Sequence, residues 1–411
     1  MNSLFSAIAP AFGLFNASHD EALEAGTASY NPTSAARIIE RDLSMLLYWD
    51  SSLRRVFVER PEACRELIRS SSLLERPCEL VSSLTPDLSL PLRPWGVDHY
   101  LLRRLARAGY KPTPEDYRRA DQLREWQHRS FSSAFLPSLL EHLREEPRLG
   151  RIAFTGESVF AADMGAVERA LCRFDGRMMM KLPLSGSGRG TRCVTGEMGE
   201  KERQWAEASI ERQGGLECQR LYDKEADFAM ELCADEPGKF RLTGYSEFYT
   251  SKGGTYSGNF LSQGSLQGRE IYNALGATDD EKAAFEEVML RSLGKALPDY
   301  IGPLGIDMML CKGEKTAVFP LVEMNFRRTM GMIVNSLGIH PDAGTTGYFR
   351  VVHIKDMALY KRQTEEYSKA FFLAKSASFI GDERYLQGLL PLTPLLEGTQ
   401  FHAYIIFRRD G

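Results

Sequence analysis

"GIDMMLCKGEKTAVFPLVEMNFRR", residues 305–328, is two apolar runs joined by the turn signal "KGEK", and so reads as a β-hairpin. Strand side chains alternate between faces, so Glu323 and Asn325 point the same way. Pairing about the turn sets Asp307 opposite residues 320–323. Two carboxylates and an amide oxygen then converge in a segment that otherwise reads as core. Burying two anions together costs several kcal/mol unless a cation offsets it. Hard oxygen donors of this kind suit Mg²⁺, with Mn²⁺ as a substitute, the other ligands being water and phosphate oxygens. The plainer alternative is a structural ion-pair cluster in which Arg327 and Arg328 neutralise the acids.

Upstream lies "KLPLSGSGRG", residues 181–190. A P-loop carries its lysine after the glycines and opens a helix; here Lys181 precedes them and the β-branched "TRCVT" follows. The dinucleotide fingerprint also requires a helix at that point. What remains is a loop between antiparallel strands. Ser185, Gly186, Ser187, Gly188, Arg189 and Gly190 offer backbone N–H groups to phosphate, with Lys181 at the root. Between these stretches, "LECQRLYDKEADFAMEL" ends one strand and starts another. Its connector, Gln219, Arg220, Leu221 and Tyr222, is suited to an adenine edge, and Asp227 to ribose hydroxyls.

These three pieces, in this order, resemble the ATP-grasp superfamily. Its pattern is a strand lysine before a flexible glycine loop, an adenine hinge, an aspartate, and a closing Glu-x-Asn-x-Arg strand. The resemblance covers about 120–350. It implies an α/β (α+β) ATP-grasp fold with an N-terminal Rossmann-like domain, and ATP and Mg²⁺ as cofactors. The implied activity is an ATP-dependent ligation of a carboxylate to an amine through an acyl phosphate. It further implies that Lys181 and residues 185–190 hold phosphates, that Asp307, Glu323 and Asn325 hold the metal, and that Arg327 or Arg328 grips the γ-phosphate or the substrate carboxylate. A kinase on the same fold and a nucleotide-binding regulator without turnover are the alternatives. Two departures stand out. Gln219 occupies a position where glutamate is commoner, and no lysine occurs between Lys111 and Lys181, where the family has a second nucleotide lysine. Arg151 is the candidate replacement. Within the superfamily, "LFNASHDEAL", "YNP" and "RPWGVD" are similar to a bacterial group. This similarity draws attention to His19 and Asp20 at the end of the first strand, where open parallel sheets bind ligands. Tyr256 and Asn259 in "TYSGN" are further acceptor-side candidates, whereas Trp95 and Asp98 read as a core filler and a helix start.

The rest of the chain agrees with a multidomain enzyme. Its 411 residues divide into a strand–helix alternation over 1–110, the ATP-grasp part over 111–350, and an extension over 351–411 that packs back on the core. A helical stretch covers 113–146, with a kink expected at Pro137. With 51 basic against 55 acidic residues there is no basic excess for non-specific nucleic-acid binding. No apolar run reaches the length of a membrane span. The opening "MNSLFSAIAPAFGLFNASHD" reads as a buried strand, since it lacks a basic start. Seven scattered cysteines without zinc spacing suit free thiols in a reducing cytoplasm. The expected partners are a small carboxylate and an amine or peptide, with no nucleic acid and no membrane. The residues do not determine the oligomeric state.

Overall fold

Short apolar runs separated by helix starts build the N-terminal sheet. In the computed structural model β1 (Ala11–Leu14), β2 (Leu53–Phe57), β3 (Glu79–Val81) and β4 (Leu92–Pro94) pair in parallel, in the order β3-β2-β1-β4. The structure describes residues 3–5, 10–70, 76–87, 89–186, 190–250, 256–262, 264, 267–337, 345–374 and 388–409. Helix Ser34–Leu43 starts where Thr33 accepts the Ala36 N–H, and helix His99–Arg107 where Asp98 accepts that of Leu101. The ring of Trp95 meets Phe15 edge-on at 4.9 Å.

The stretch after position 110 is two helices, Pro114–Gln127 and Arg129–Glu145. They are separated by a break at His128, and Pro137 lies inside the second helix. His128 has extended backbone (ψ 124°), and its ring accepts the Ser130 N–H, so it ends one helix and caps the next. The break turns the Arg129 N–H away from any helical ladder and onto Pro183 O, 3.0 Å away.

Thirteen further strands follow: β5 (Ala153–Phe154), β6 (Ser158–Ala161), β7 (Arg177–Lys181), β8 (Thr191–Thr195), β9 (Leu216–Arg220), β10 (Lys224–Glu236), β11 (Lys239–Thr250), β12 (Tyr256–Leu261), β13 (Gly302–Cys311), β14 (Ala317–Asn325), β15 (Thr345–His353), β16 (Gly388–Pro391) and β17 (Phe401–Arg409). Strands β6 to β9 form a small antiparallel sheet, ordered β6-β9-β7-β8. The others form a nine-stranded sheet, ordered β16-β17-β15-β12-β11-β10-β13-β14-β5, in which only the β14–β5 pairing is parallel. Helix Asp279–Ala296 opens with a capping box of Thr278 and Glu281.

The cores do not follow the expected boundaries at 110 and 350. One runs from Phe12, Leu14 and Leu101 through Leu136 and Leu139 to Phe228, Ile306 and Phe319. A second joins Leu46, Trp49 and Val56 to Ile333, Ile405 and Phe407, so β17 packs against the first segment. The small sheet has a core of its own, built on Val167, Phe174, Met178, Met180, Val194 and Cys218. Among the described residues, no helix is long and apolar enough to cross a membrane.

Candidate functional site

The β13–β14 hairpin sets the site. Its register pairs Asp307 with Glu323 and Gly305 with Asn325, then slips so that Met309 faces Phe319. Pro320 lies inside the slip, where a residue without an N–H costs the ladder least. There the strand edge offers the Val322 carbonyl, which accepts from Lys181 Nζ at 3.0 Å and Gln219 Nε2 at 2.9 Å. Two strands of the small sheet are thereby tied to β14 of the large one.

Asn325 Nδ2 donates to Asp307 Oδ2 at 3.2 Å. Burial raises the Asp307 carboxyl well above its ordinary range, and the neighbouring Glu323 adds to the shift. The charge of Arg327 offsets part of this, but neither Arg327 nor Arg328 forms an ion pair with Asp307. Arg327 is held by Asp20 at 2.8 and 3.1 Å, and Arg328 is paired with Asp50. The ion-pair alternative is therefore not the arrangement present, and Arg328 faces away from the cluster, with its N–H on Trp95 O at 2.8 Å. Among the described residues no ion pair reaches Asp307, and no three Asp, Glu, His or Cys side chains form a ready-made metal cage. Two carboxylates and an amide, short of a full cage and with no ion pair on Asp307, fit a Mg²⁺ that takes its other ligands from phosphate and water.

Two cations face this cluster. Lys181, 6% exposed, lies 3.7 Å from Glu217; burial lowers its pKa, against the attraction of Glu217 and Glu323. The second, Arg129, is absent from the sequence reading. Its guanidinium bonds Glu323 Oε1 at 2.5 Å, Ser185 Oγ at 2.8 Å and the Leu182 carbonyl, and comes within 3.6 Å of Glu217. The anticipated Arg151 is instead mostly exposed and paired with Glu281 at 2.5 Å. Glu217 was also missed. One of its oxygens accepts from Ser158 (2.9 Å), Ser133 (3.2 Å) and Gln219 (3.0 Å), while the other is buried without a hydrogen bond between Lys181 and Arg129. The signals in the sequence were slight: a proline inside a strand for the bulge, and an arginine beginning a helix where a lysine was sought.

The glycine loop closes at its base, where Leu182 N–H meets Gly190 O at 2.8 Å. Gly186 lies on Asp20: a Cβ there would come within 2.1 Å of the carboxylate. Ser187, Gly188 and Arg189 lie outside the described residues. Along the connector, Gln219 turns inward. Arg220 fans outward to Glu157 (2.7 Å) and Asp175 (2.9 Å), Leu221 N–H goes to Arg177 O (2.9 Å), and the Tyr222 ring meets Phe319 at 5.7 Å. Asp227 is paired with Lys224 at 2.5 Å and does not join the cluster.

The acceptor-side candidates fare unevenly. His19 is 1% exposed and bonds Asp98 at 3.0 Å through Nδ1, propping the turn beneath Gly96, while its Nε2 is buried without a hydrogen bond. Asn259 is equally buried, accepts from the Tyr256 hydroxyl, and donates to Glu247 O at 3.1 Å. Asn259 is thus bonded through both its oxygen and its nitrogen. Of the four, Asp20 alone reaches the cluster, through Arg327.

No family model matches the sequence, and no curated protein is similar to it by sequence. Among solved structures, the ADP complex of N5-carboxyaminoimidazole synthetase from Staphylococcus aureus superposes with a TM-score of 0.50 at 10% identity, over 99% of this chain and 96% of that one. The chain has the ATP-grasp fold. Two further ATP-grasp structures match with lower scores. The Thermus thermophilus N5-carboxyaminoimidazole ribonucleotide synthetase gives 0.48 at 13% identity over 97% and 94% of the chains. A biotin carboxylase from Campylobacter jejuni gives 0.44 at 9% identity over 87% and 72%. In the ATP-grasp frame the large and small sheets are the two halves between which the Lys181–Glu217–Arg129–Glu323 network runs.

Proposed function

We propose that the chain is an ATP-dependent ligase that joins a carboxylate to an amine or similar nucleophile through an acyl phosphate. The observation that supports this most directly is Asp307 facing Glu323 without an ion pair of its own, beside Lys181 and Arg129. Asp307, Glu323 and Asn325 would hold Mg²⁺ or Mn²⁺, which supplies charge neutralisation at phosphoryl oxygens. Lys181, Arg129 and the amides of 185–190 would bind phosphates, Arg129 filling the part of the second nucleotide lysine. The connector 219–222 would take the base and Asp227 the ribose. Arg327 keeps N–H groups free of Asp20 for the γ-phosphate or the substrate carboxylate.

The chemistry asks the protein for position rather than for a nucleophile. A substrate carboxylate oxygen bonds the γ-phosphorus as the bond to ADP breaks. The amine then bonds the acyl carbon, releasing phosphate and a proton. Burial of Lys181 and Arg129 strengthens their hold on phosphate in a site from which water is largely excluded. Seven free thiols agree with a reducing cytoplasm, and the substrates are taken to be a small carboxylate and an amine or peptide. The test is ADP release across pools of carboxylates and amines, followed by trapping with hydroxylamine. A hydroxamate from the active acid supports the ligase, a phosphorylated product stable to hydroxylamine rejects it for a kinase, and no ADP from any pool rejects turnover.

A further inference from the structure

Asp20 opens helix His19–Ala25 directly after β1, yet its carboxylate meets a guanidinium on the far side of the sequence, Arg327. The contact is bidentate, from Nε at 2.8 Å and Nη2 at 3.1 Å, and the two side chains are only 17% and 13% exposed. A third donor, Nη1, reaches Arg328 O at 3.1 Å. Three of the five guanidinium N–H groups are thus fixed, and the plane of Arg327 is fixed with them. Burial would push the Asp20 carboxyl up, but Arg327 overrides it and holds the group below its ordinary range. Arg327 also feels the charges of Glu323 and Asp307. These are the two carboxylates onto which a freed guanidinium would fall.

Asp20 is itself held firmly. His19 bonds Asp98, Asn16 donates to Gly96 O at 2.9 Å and to Asp98 at 3.0 Å, and Gly186 packs on the carboxylate from the loop side. Further along the same helix, Glu24 accepts from Gln213 at 2.7 Å, on the helix that covers the small sheet. The N-terminal segment therefore touches the glycine loop, the small sheet's helix and the arginine that follows the metal-type strand.

We propose that Asp20 is a positioning residue of the nucleotide site: it holds Arg327 off Asp307 and Glu323, leaving those carboxylates to magnesium. The proposal rests on the Mg-ATP reading above. It makes the site incomplete without the first segment of the chain, and it assigns Asp20 to the arginine rather than to the acceptor.

The experiment titrates free Mg²⁺ at fixed ATP against the full-length protein, following nucleotide binding by calorimetry and by the melting temperature. Asp20→Asn keeps the shape and removes the charge. It is expected to require on the order of tenfold more Mg²⁺ than wild type for the same binding. The double variant Asp20→Asn/Arg327→Met has no guanidinium to fall on the carboxylates: its ATP affinity at saturating Mg²⁺ is expected to fall with the lost phosphate contact, while the Mg²⁺ midpoint of the binding that remains returns toward wild type. Gly186→Ala, which pushes on Asp20 from the loop, serves as the second route should Asp20→Asn fail to fold, and is expected to raise the requirement likewise. An unchanged Mg²⁺ requirement in whichever single variant folds overturns the proposal, as does an equal increase in the single and double Asp20 variants. Wild-type protein that binds no Mg-ATP overturns the nucleotide reading, and this inference with it.

Discussion

Lys181 donates to the Val322 carbonyl and Glu323 is the next residue along β14, and their replacements separate nucleotide binding from turnover. A ligand at 100 times its dissociation constant stabilises a protein by about 2.7 kcal/mol. Lys181→Ala is expected to lose most of the melting shift that Mg-ATP gives the wild type. Glu323→Gln removes a ligand charge at nearly constant shape; it should lower ADP release on the order of 10²-fold or more while the protein without nucleotide melts as before. Glu231 carries a different signature. It is 1% exposed, accepts from the Ser246 and Thr329 hydroxyls at 2.8 Å, and burial pushes its pKa to about 7 from an ordinary 4.5. The folded state therefore binds the proton more tightly than the unfolded chain. The stability this gives is complete below about pH 4.5 and lost as pH rises through 7, with an upper limit on the order of 3 kcal/mol. Glu231→Gln should melt near wild type at pH 4.5 and above it at pH 8. A constant difference across that range would show that Glu231 does not titrate in the fold.

Among the elements, strand β13 carries a close packing demand at the site. Gly305 lies between Glu231 on β10 and Asn325 on β14, and a Cβ there would come within 2.5 Å of Thr329 Cγ2. Thr329 caps helix Met330–Ser336 and donates to Glu231, so it has little room to yield. Gly305→Ala is expected to destabilise by about 1–3 kcal/mol, read as a fall in the urea midpoint, and to weaken Mg-ATP binding as Asn325 is displaced. An unchanged midpoint would mean that Thr329 rotates away freely. Much of this layer was legible in the sequence. Alternation about "KGEK" set Asp307 within reach of Glu323, and β-branched residues after the glycines ruled out a helix there. Illegible was whatever depends on how elements cross. The direction of Arg129 follows from a break at His128, and Arg327 and Arg328 part because successive side chains point apart, one to Asp20 and the other to Asp50. The burial of His19 against Gly96 and Asp98, far along the sequence, is likewise recorded in no local pattern.

At the scale of the whole molecule the division of the apolar cores predicts an uneven distribution of stability. Two cores run through the N-terminal sheet, the nine-stranded sheet and the C-terminal strands, so these unfold together, and no cut at 110 or 350 leaves a closed core. The small sheet is different: its apolar core is its own. Many of its ties to the rest are polar, among them Lys181 and Gln219 on Val322 O, Arg129 on the loop, Ser133 on Ser158 and Gln213 on Glu24. Polar ties at a boundary open at lower free energy than a shared apolar core, because water replaces the lost partners. Backbone amides of β6 to β9 are therefore expected to exchange hydrogen as one group, faster than those of β10, β11 and β13. Mg-ATP should slow that group selectively, since phosphate would join Lys181 and the loop to Glu323 and Asp307. Exchange followed by mass spectrometry, with and without Mg-ATP, reads both effects. Protection that is uniform across the two sheets would show that the small sheet is not a separate cooperative unit; protection gained equally everywhere would show that nucleotide does not act through it.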